Sequence, residues 1–132
     1  MRVSVDMPRV TSMTETPESP EAVDCLFCKI IAGDIPSDRV AESERVVAFR
    51  DINPAAPVHV LIVPRRHEPN IGALAAAAPE DLAAVFELVA EVAEKEGVTE
   101  HHRLVFNTGT DAGQTIFHAH GHVLGGRTFT ER

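Results

Sequence analysis

Phe117-His118-Ala119-His120-Gly121-His122-Val123-Leu124-Gly125-Gly126 is the stretch on which the reading of this chain turns. Histidine falls on every second position, and a β-strand sends alternate side chains to opposite faces. The pattern predicts a strand over residues 116–124 with His118, His120 and His122 in one row, neighbours about 6–7 Å apart. A solvated histidine tract would lack the interleaved Phe117, Ala119, Val123 and Leu124. Three imidazoles on one face can share an anionic group or divide their work between a metal and a substrate.

Working outward, residues 103–107 read as the preceding strand, separated from the histidines by the turn-rich residues 108–113. Residues 39–41 and 45–50 flank the polar Glu42-Ser43-Glu44 as a hairpin, and Pro57 and Pro64 bound a further strand over residues 58–63. Residues 27–32 form a short helical turn that Gly33 ends, with Pro36 barring continuation. Pro79-Glu80-Asp81 opens the main helix, with proline in the first turn and two acids meeting the positive end of the dipole. Leu82, Val85, Phe86, Val89 and Val92 give that helix one apolar stripe, and Gly97 stops it. Residues 65–78 read as a loop. Five strands in adjacent hairpins, without strand-helix alternation, imply an α+β fold with an antiparallel sheet.

The chain's 132 residues suit one domain. Its net charge of −8 argues against nucleic-acid polymers as partners, since phosphate backbones favour Lys/Arg surfaces; one mononucleotide in a focused pocket remains compatible. No apolar stretch approaches the ~20 residues of a membrane span. Residues 1–24 hold scattered apolar residues among Pro, Ser, Thr and Glu, and read as a disordered leader ahead of a domain over residues 25–132. That leader has no continuous apolar core of a secretory signal, which implies a cytoplasmic address; Met1 and Met13 are both candidate starts.

Cys25 and Cys28 are the two cysteines, and at this spacing they are a redox pair or half of a metal site. A redox motif would follow a strand and open a helix inside a βαβ unit, whereas this pair follows the leader, which favours metal over an empty, reduced dithiol. Asn107 and Gly113-Gln114-Thr115 are short polar groups beside glycine, suited to an oxyanion or to an ordinary hairpin turn. Asp51 can accept from both hydroxyls of a ribose or cap the turn before Asn53-Pro54. His59, between Val58 and Val60, is either a core histidine bonded to a carbonyl or part of the site. A neutral imidazole is a nucleophile without a separate base, and a phosphorus centre it attacks becomes a labile phosphoramidate.

The His-φ-His-φ-His-φ-φ pattern resembles the signature of the histidine-triad (HIT) nucleotide-binding superfamily, and within it the Hint branch. The likeness extends to Phe27-Cys28-Lys29-Ile30-Ile31, Gly33-Asp34-Ile35-Pro36, Ala48-Phe49-Arg50-Asp51-Ile52-Asn53-Pro54, Val63-Pro64-Arg65-Arg66-His67 and Asn107-Thr108-Gly109-Thr110-Asp111-Ala112-Gly113-Gln114-Thr115. It implies a HIT-like fold, a five-stranded antiparallel sheet with one main helix and a short N-terminal helix, paired into a homodimer whose sheets join. It implies a purine nucleoside phosphoramidase in which His120 attacks the α-phosphorus and His122 binds the phosphoryl oxygens, with no metal in the chemical step. His59 would lie beside the nucleophile and fix its orientation and tautomer. Leu26, Phe27, Ile30, Phe49 and Ile52 would line the purine pocket, Asp51 would hold the ribose, and Asn107, Gly113, Gln114 and Thr115 would contact the phosphate or leaving group.

In zinc-bearing relatives the remaining two ligands correspond to His67 and His118, so the resemblance implies a structural Zn2+ on Cys25, Cys28, His67 and His118. Two other readings are a dinucleoside-polyphosphate hydrolase or nucleotidyl transferase of another HIT branch, and a non-catalytic nucleotide-binding interaction module. Gly125-Gly126-Arg127 looks like the Hint continuation, and an intact His120 speaks against the module. Only Thr128 to Arg132 follow it, a shorter tail than in animal Hint proteins, and His101 and His102 match no motif.

Overall fold

A computed structural model describes residues 24–131; apart from Asp24, the expected leader lies outside the described residues. In chain order the elements are α1 (Leu26–Ala32), β1 (Arg39–Glu42), β2 (Val46–Arg50), β3 (Val58–Pro64), α2 (Ile71–Ala77), α3 (Pro79–Lys95), β4 (His102–Val105), a 3-10 turn (Thr110–Ala112) and β5 (Gly121–Gly125). The strands form one antiparallel sheet in the order β1-β2-β3-β5-β4. The chain therefore builds a three-strand meander, crosses over through α2 and α3, and returns with a hairpin whose second strand pairs with β3. Among the described residues no helix is long and apolar enough to cross a membrane.

Period-two alternation sorts the sheet into two faces. Val46, Ala48, Val60, Ile62 and Val123 pack under α2 and α3 with Leu74, Val85, Leu88, Val89 and Val92. Val47, Phe49, Leu61 and Val63 face the other way and pack with Cys25, Phe27 and Ile30 of the α1 segment. Covered on both sides, residues 46–49 of β2 and 60–64 of β3 read as continuous apolar runs. Arg45 donates to the buried Asp81, tying the β1–β2 hairpin to the start of α3, and Arg50 forms two hydrogen bonds to Glu96 at its end. Lys95, in the last turn of α3, donates to the Val40 carbonyl of β1.

Two local expectations are corrected. Residues 71–77, expected as loop, form α2: Asn70 caps it by accepting from the Ala73 N–H at 2.8 Å, and the alanine run then supplies helix propensity that needs no long apolar stripe. The histidine stretch is not a strand throughout. The β5 ladder begins at Gly121, so His122 alone of the three is in it. The cause is a change of partner: the Ala119 N–H donates at 2.7 Å to the Glu68 carbonyl, in the connection beyond β3. Facing still alternates outside the ladder, with Ala119 in the core under α2 and α3 and His118 and His120 against Phe27 on the opposite side. Gly121 makes room for the Phe106 ring, since a Cβ there would lie 2.6 Å from it.

Candidate functional site

The α1 side of the sheet gathers the histidines. Leu61 pairs with His122 and His59 with Leu124, so His59 and His122 are diagonal neighbours on one face. Their rings meet at 5.2 Å between centroids, and the His120 ring stands 5.1 Å from that of His122. Phe27, projecting from α1, sets its ring edge-on to both His118 and His120 and also packs on Phe49. It holds the histidine row from above as a hydrophobic wedge.

Hydrogen bonds fix each tautomer because several partners can only donate or only accept. His120 Nδ1 lies 2.7 Å from the His118 carbonyl; an oxygen accepts, so Nδ1 carries the proton and Nε2 keeps its lone pair. The Ala55 N–H donates to His59 Nδ1 at 3.0 Å, which places the proton of neutral His59 on Nε2. That nitrogen faces His122 Nδ1 at 2.9 Å, and Asp51 Oδ2 lies 3.4 Å from it. His122 Nδ1 is therefore an acceptor and its proton sits on Nε2. The outcome is one imidazole with a bare nitrogen beside one presenting N–H.

Burial keeps this set neutral. It depresses His120 and His59 below the ordinary imidazole range, against the opposing pull of Asp51. Burial, reinforced by the neighbouring His120 and His59, pushes His122 down to about 4. At pH 7 an imidazole lone pair and an imidazole donor thus stand side by side, an arrangement that can attack and hold one phosphoryl group.

The structure departs from the expected role of His59: it meets His122, and the orientation of His120 comes from a backbone carbonyl. Of the two local roles its sequence allowed, Asp51 fills the turn cap, and its second oxygen meets a histidine that the sequence did not pair with it. Oδ1 accepts from the Asn53 N–H at 2.8 Å as a turn cap, and Oδ2 faces His59. Gln114 is buried and engaged in its own loop. Its amide donates to the Pro69 and Ile116 carbonyls at 2.7 and 2.9 Å, its oxygen accepts from the Gly109 N–H, and its backbone N–H donates to the Gly109 carbonyl. Asn107 donates to the Ala112 carbonyl at 2.9 Å, closing the same loop, which ends in Gly113 at φ 96° and the exposed Thr115. Of the expected purine-pocket residues, Phe27, Ile30 and Phe49 are buried, whereas Leu26 and Ile52 are exposed, Ile52 at 91%. His101 and His102 are both exposed, as residues at a strand entrance should be.

Cys25, Cys28, His67 and His118 converge, their donor atoms all within 4.8 Å of one another. Cys25 Sγ to His118 Nδ1 is 3.4 Å, Cys28 Sγ to His67 Nδ1 3.4 Å, Cys28 Sγ to His118 Nδ1 3.6 Å, and His67 Nδ1 to His118 Nδ1 3.1 Å. A tetrahedron with bonds of about 2.0–2.3 Å has edges of about 3.3–3.8 Å; the three sulfur–nitrogen spacings match those edges and the nitrogen–nitrogen spacing is slightly shorter, so these residues could hold one tetrahedral ion. His118 Nε2 donates to the Pro64 carbonyl at 2.7 Å, which leaves the Nδ1 lone pair aimed at the thiols. The Cys28 N–H points to Cys25 Sγ at 3.4 Å, and Cys25 is itself the N-cap of α1.

Sequence reasoning gave the backbone acceptors no place: the carbonyls of His118 and Pro64 orient two imidazoles, and no residue identity signals them. It also passed over Arg103, Glu131 and Phe129, whose contacts bring the chain's end beside the histidine face. The arginine in alternation on β4 was the available signal.

Comparison with known proteins agrees with this geometry. A family model described as HIT domain matches residues 32–129. The purine nucleoside phosphoramidase of Escherichia coli is 42% identical over 107 residues, covering 80% of this chain and 90% of that protein. A 14 kDa zinc-binding protein of Zea mays is 42% identical over 104 residues, covering 77% of this chain and 81% of that protein. Among solved structures, a HIT family hydrolase from Clostridium thermocellum superposes with a TM-score of 0.78 at 44% identity, covering 83% of this chain and 96% of that one. The match of fold, histidine row and sequence over most of its length establishes that this chain belongs to the HIT family.

Proposed function

We propose that this protein is a hydrolase that cleaves the P–N bond of purine nucleoside 5′-phosphoramidates through a nucleotidyl-His120 intermediate. The observation that carries the reading is the tautomer of His120, whose Nδ1 is tied to the His118 carbonyl and whose Nε2 lone pair stands beside the Nε2–H of His122. His120 Nε2 forms a bond to the α-phosphorus as the P–N bond breaks, and the leaving nitrogen takes a proton from solvent to depart as the free amine while His120 Nδ1 keeps its own. Water then adds to phosphorus and gives a proton back to solvent, the His120–phosphorus bond breaks to restore neutral His120, and a nucleoside monophosphate leaves. His122 donates to a phosphoryl oxygen, where negative charge develops. Thr115 and the loop closed by Asn107 border the phosphate, while Phe27, Ile30 and Phe49 flank the base and Asp51 receives the ribose. The relative named purine nucleoside phosphoramidase supports the substrate class.

Cys25, Cys28, His67 and His118 would hold a structural zinc, which the tetrahedral spacing of the donors and the relative named a zinc-binding protein both support. The ion would cross-link the start of α1, the connection after β3 and the histidine stretch, and no chemical step passes through it. The reading includes a homodimer, for which β4 at the sheet edge and the half-exposed Phe86 of α3 offer a surface.

Quenching a reaction with adenosine 5′-phosphoramidate and mapping the adduct tests the mechanism. Adenylated His120 is expected. His120→Ala should lose turnover by several orders of magnitude while still binding AMP; residual activity within about tenfold of wild type, equal to only ~1.4 kcal/mol of barrier, refutes the covalent route.

A further inference from the structure

The end of the chain carries an arrangement that the phosphoramidase reading leaves unused. Arg103 of β4 and Arg127 just after β5 both lay their guanidinium groups over the Phe129 ring, at 4.6 and 4.2 Å from its centroid. Both also converge on Glu131. Arg127 Nη2 is 2.9 Å from Glu131 Oε2, Arg103 Nη2 donates to the Glu131 carbonyl at 2.7 Å, and Arg103 Nη1 lies 3.9 Å from Oε2. Hydrogen bonding to Arg127 holds the Glu131 carboxyl down at about 2.

Sheet register places this cluster relative to the chemistry. Leu124 has His59 as its partner on β3 and Arg103 as its partner on β4, so Arg103 shares the histidine face and is diagonal to His122. His120 precedes His122 by two residues and the Leu124–Arg103 row follows it by two, about 6–7 Å further along the strand. In an in-line displacement the leaving group departs opposite the attacking atom. Beyond His120 and His122 the row of positions continues to Arg103, and Phe129 brings Arg127 to the same place, so the two arginines lie on the side of His122 away from His120.

We propose that Arg103 and Arg127 are specificity-determining residues that bind a carboxylate carried by the amine leaving group, and that Glu131 occupies their site as a built-in stand-in when substrate is absent. The inference rests on the phosphoramidase reading and names the class of amine it prefers. Arginine suits the task because its planar fork matches a carboxylate. The two side chains and Glu131 are all partly exposed, and an exposed pair of this kind is weak, so a substrate carboxylate can exchange with Glu131. Phe129 fixes both guanidinium planes in place before substrate arrives.

The test compares two substrates that differ in one charge: adenosine 5′-phosphate joined through a P–N bond to glycine, and the same compound made with glycinamide. For the wild-type chain, kcat/KM for the glycine compound should exceed that for the glycinamide compound by about fivefold or more. Arg103→Gln should bring the ratio toward one. Glu131→Gln should raise the ratio, because it removes the competing carboxylate while leaving both arginines, and it serves where Arg103→Gln fails to fold. A tail that only braces the fold would shift both substrates alike and leave the ratio fixed. A wild-type ratio within about twofold of one, or a ratio that neither variant moves, overturns the subsite and leaves the hydrolase reading standing. Absence of turnover with both substrates and with adenosine 5′-phosphoramidate refutes the hydrolase reading, and the subsite falls with it; turnover of adenosine 5′-phosphoramidate alone overturns the subsite only.

Discussion

His59→Phe isolates the job that the structure gives His59. The substitution keeps a ring in the core but removes Nε2–H, the donor that lies 2.9 Å from His122 Nδ1, and Nδ1, which accepts from the Ala55 N–H. A neutral hydrogen bond contributes about 0.5–1.5 kcal/mol net. That is about a 2- to 12-fold change in the population of the His122 form whose Nε2–H faces the phosphate. We therefore expect kcat/KM for adenosine 5′-phosphoramidate to fall by about tenfold, with the nucleophile still able to form its adduct. Loss of the bond from the exposed Ala55, whose N–H can turn to water, should separately lower stability by about 0.5–1.5 kcal/mol, read as a drop in melting temperature. Long-range 1H–15N spectra of the imidazoles report the tautomers directly: His122 should be Nε2–H in the wild type and a mixture in the variant. A loss matching that of His120→Ala, or a His122 spectrum unchanged by the substitution, would falsify the relay.

Three further outcomes follow from the geometry. Cys28→Ser should abolish binding of about one zinc per chain and lower the melting temperature, because binding energy in a structural site is folding energy; elemental analysis of both proteins before and after chelator decides, and a variant that still retains zinc excludes the four-ligand set. Asp51→Asn should weaken AMP more than its 2′- and 3′-deoxy analogues if the carboxylate receives both hydroxyls, whereas equal losses assign it to the Asn53 turn cap and His59 alone. His122 is held down at about 4 in the fold and titrates near 6.5 when unfolded, so the unfolded chain takes its proton first. Its contribution to stability is complete above about pH 6.5 and is lost as pH falls toward 4, by about 1–2 kcal/mol after allowance for its partial exposure. Melting curves across that window check the sign, and for His122→Asn the slope should be shallower.

What the sequence disclosed follows from how far each signal reaches. The hairpin over β1 and β2, strand β3 and helix α3 are written in local alternation, proline boundaries and a 3.6-residue stripe, all of which a single segment carries by itself. The convergence of Cys25, Cys28, His67 and His118 spans 93 residues and was legible only through likeness to a family whose spacing is known. Helix α2 escaped because its signal was one asparagine cap and a run of alanines, with no amphipathic period to reveal it. The early end of β5 escaped because a strand's length is decided by its neighbour: the Ala119 N–H meets the Glu68 carbonyl where a continuing β3 would have been needed. An amide beside glycine fits an anion and a loop closure equally well, so the sequence could not disclose that the Gln114 amide donates to the carbonyls of Pro69 and Ile116.

The bond from His120 Nδ1 to the His118 carbonyl has a consequence for how the chain tolerates change. Position 118 serves the thiol cluster with its side chain and His120 Nδ1 with its main chain. Main-chain groups survive substitution, so the two services can be inherited separately. A lineage that discards the cysteines gives up the thiol cluster yet can keep the imidazole on the Pro64 carbonyl and the oxygen that holds His120 Nδ1. The thiol cluster and the histidine row are neighbours here without being hostages to each other.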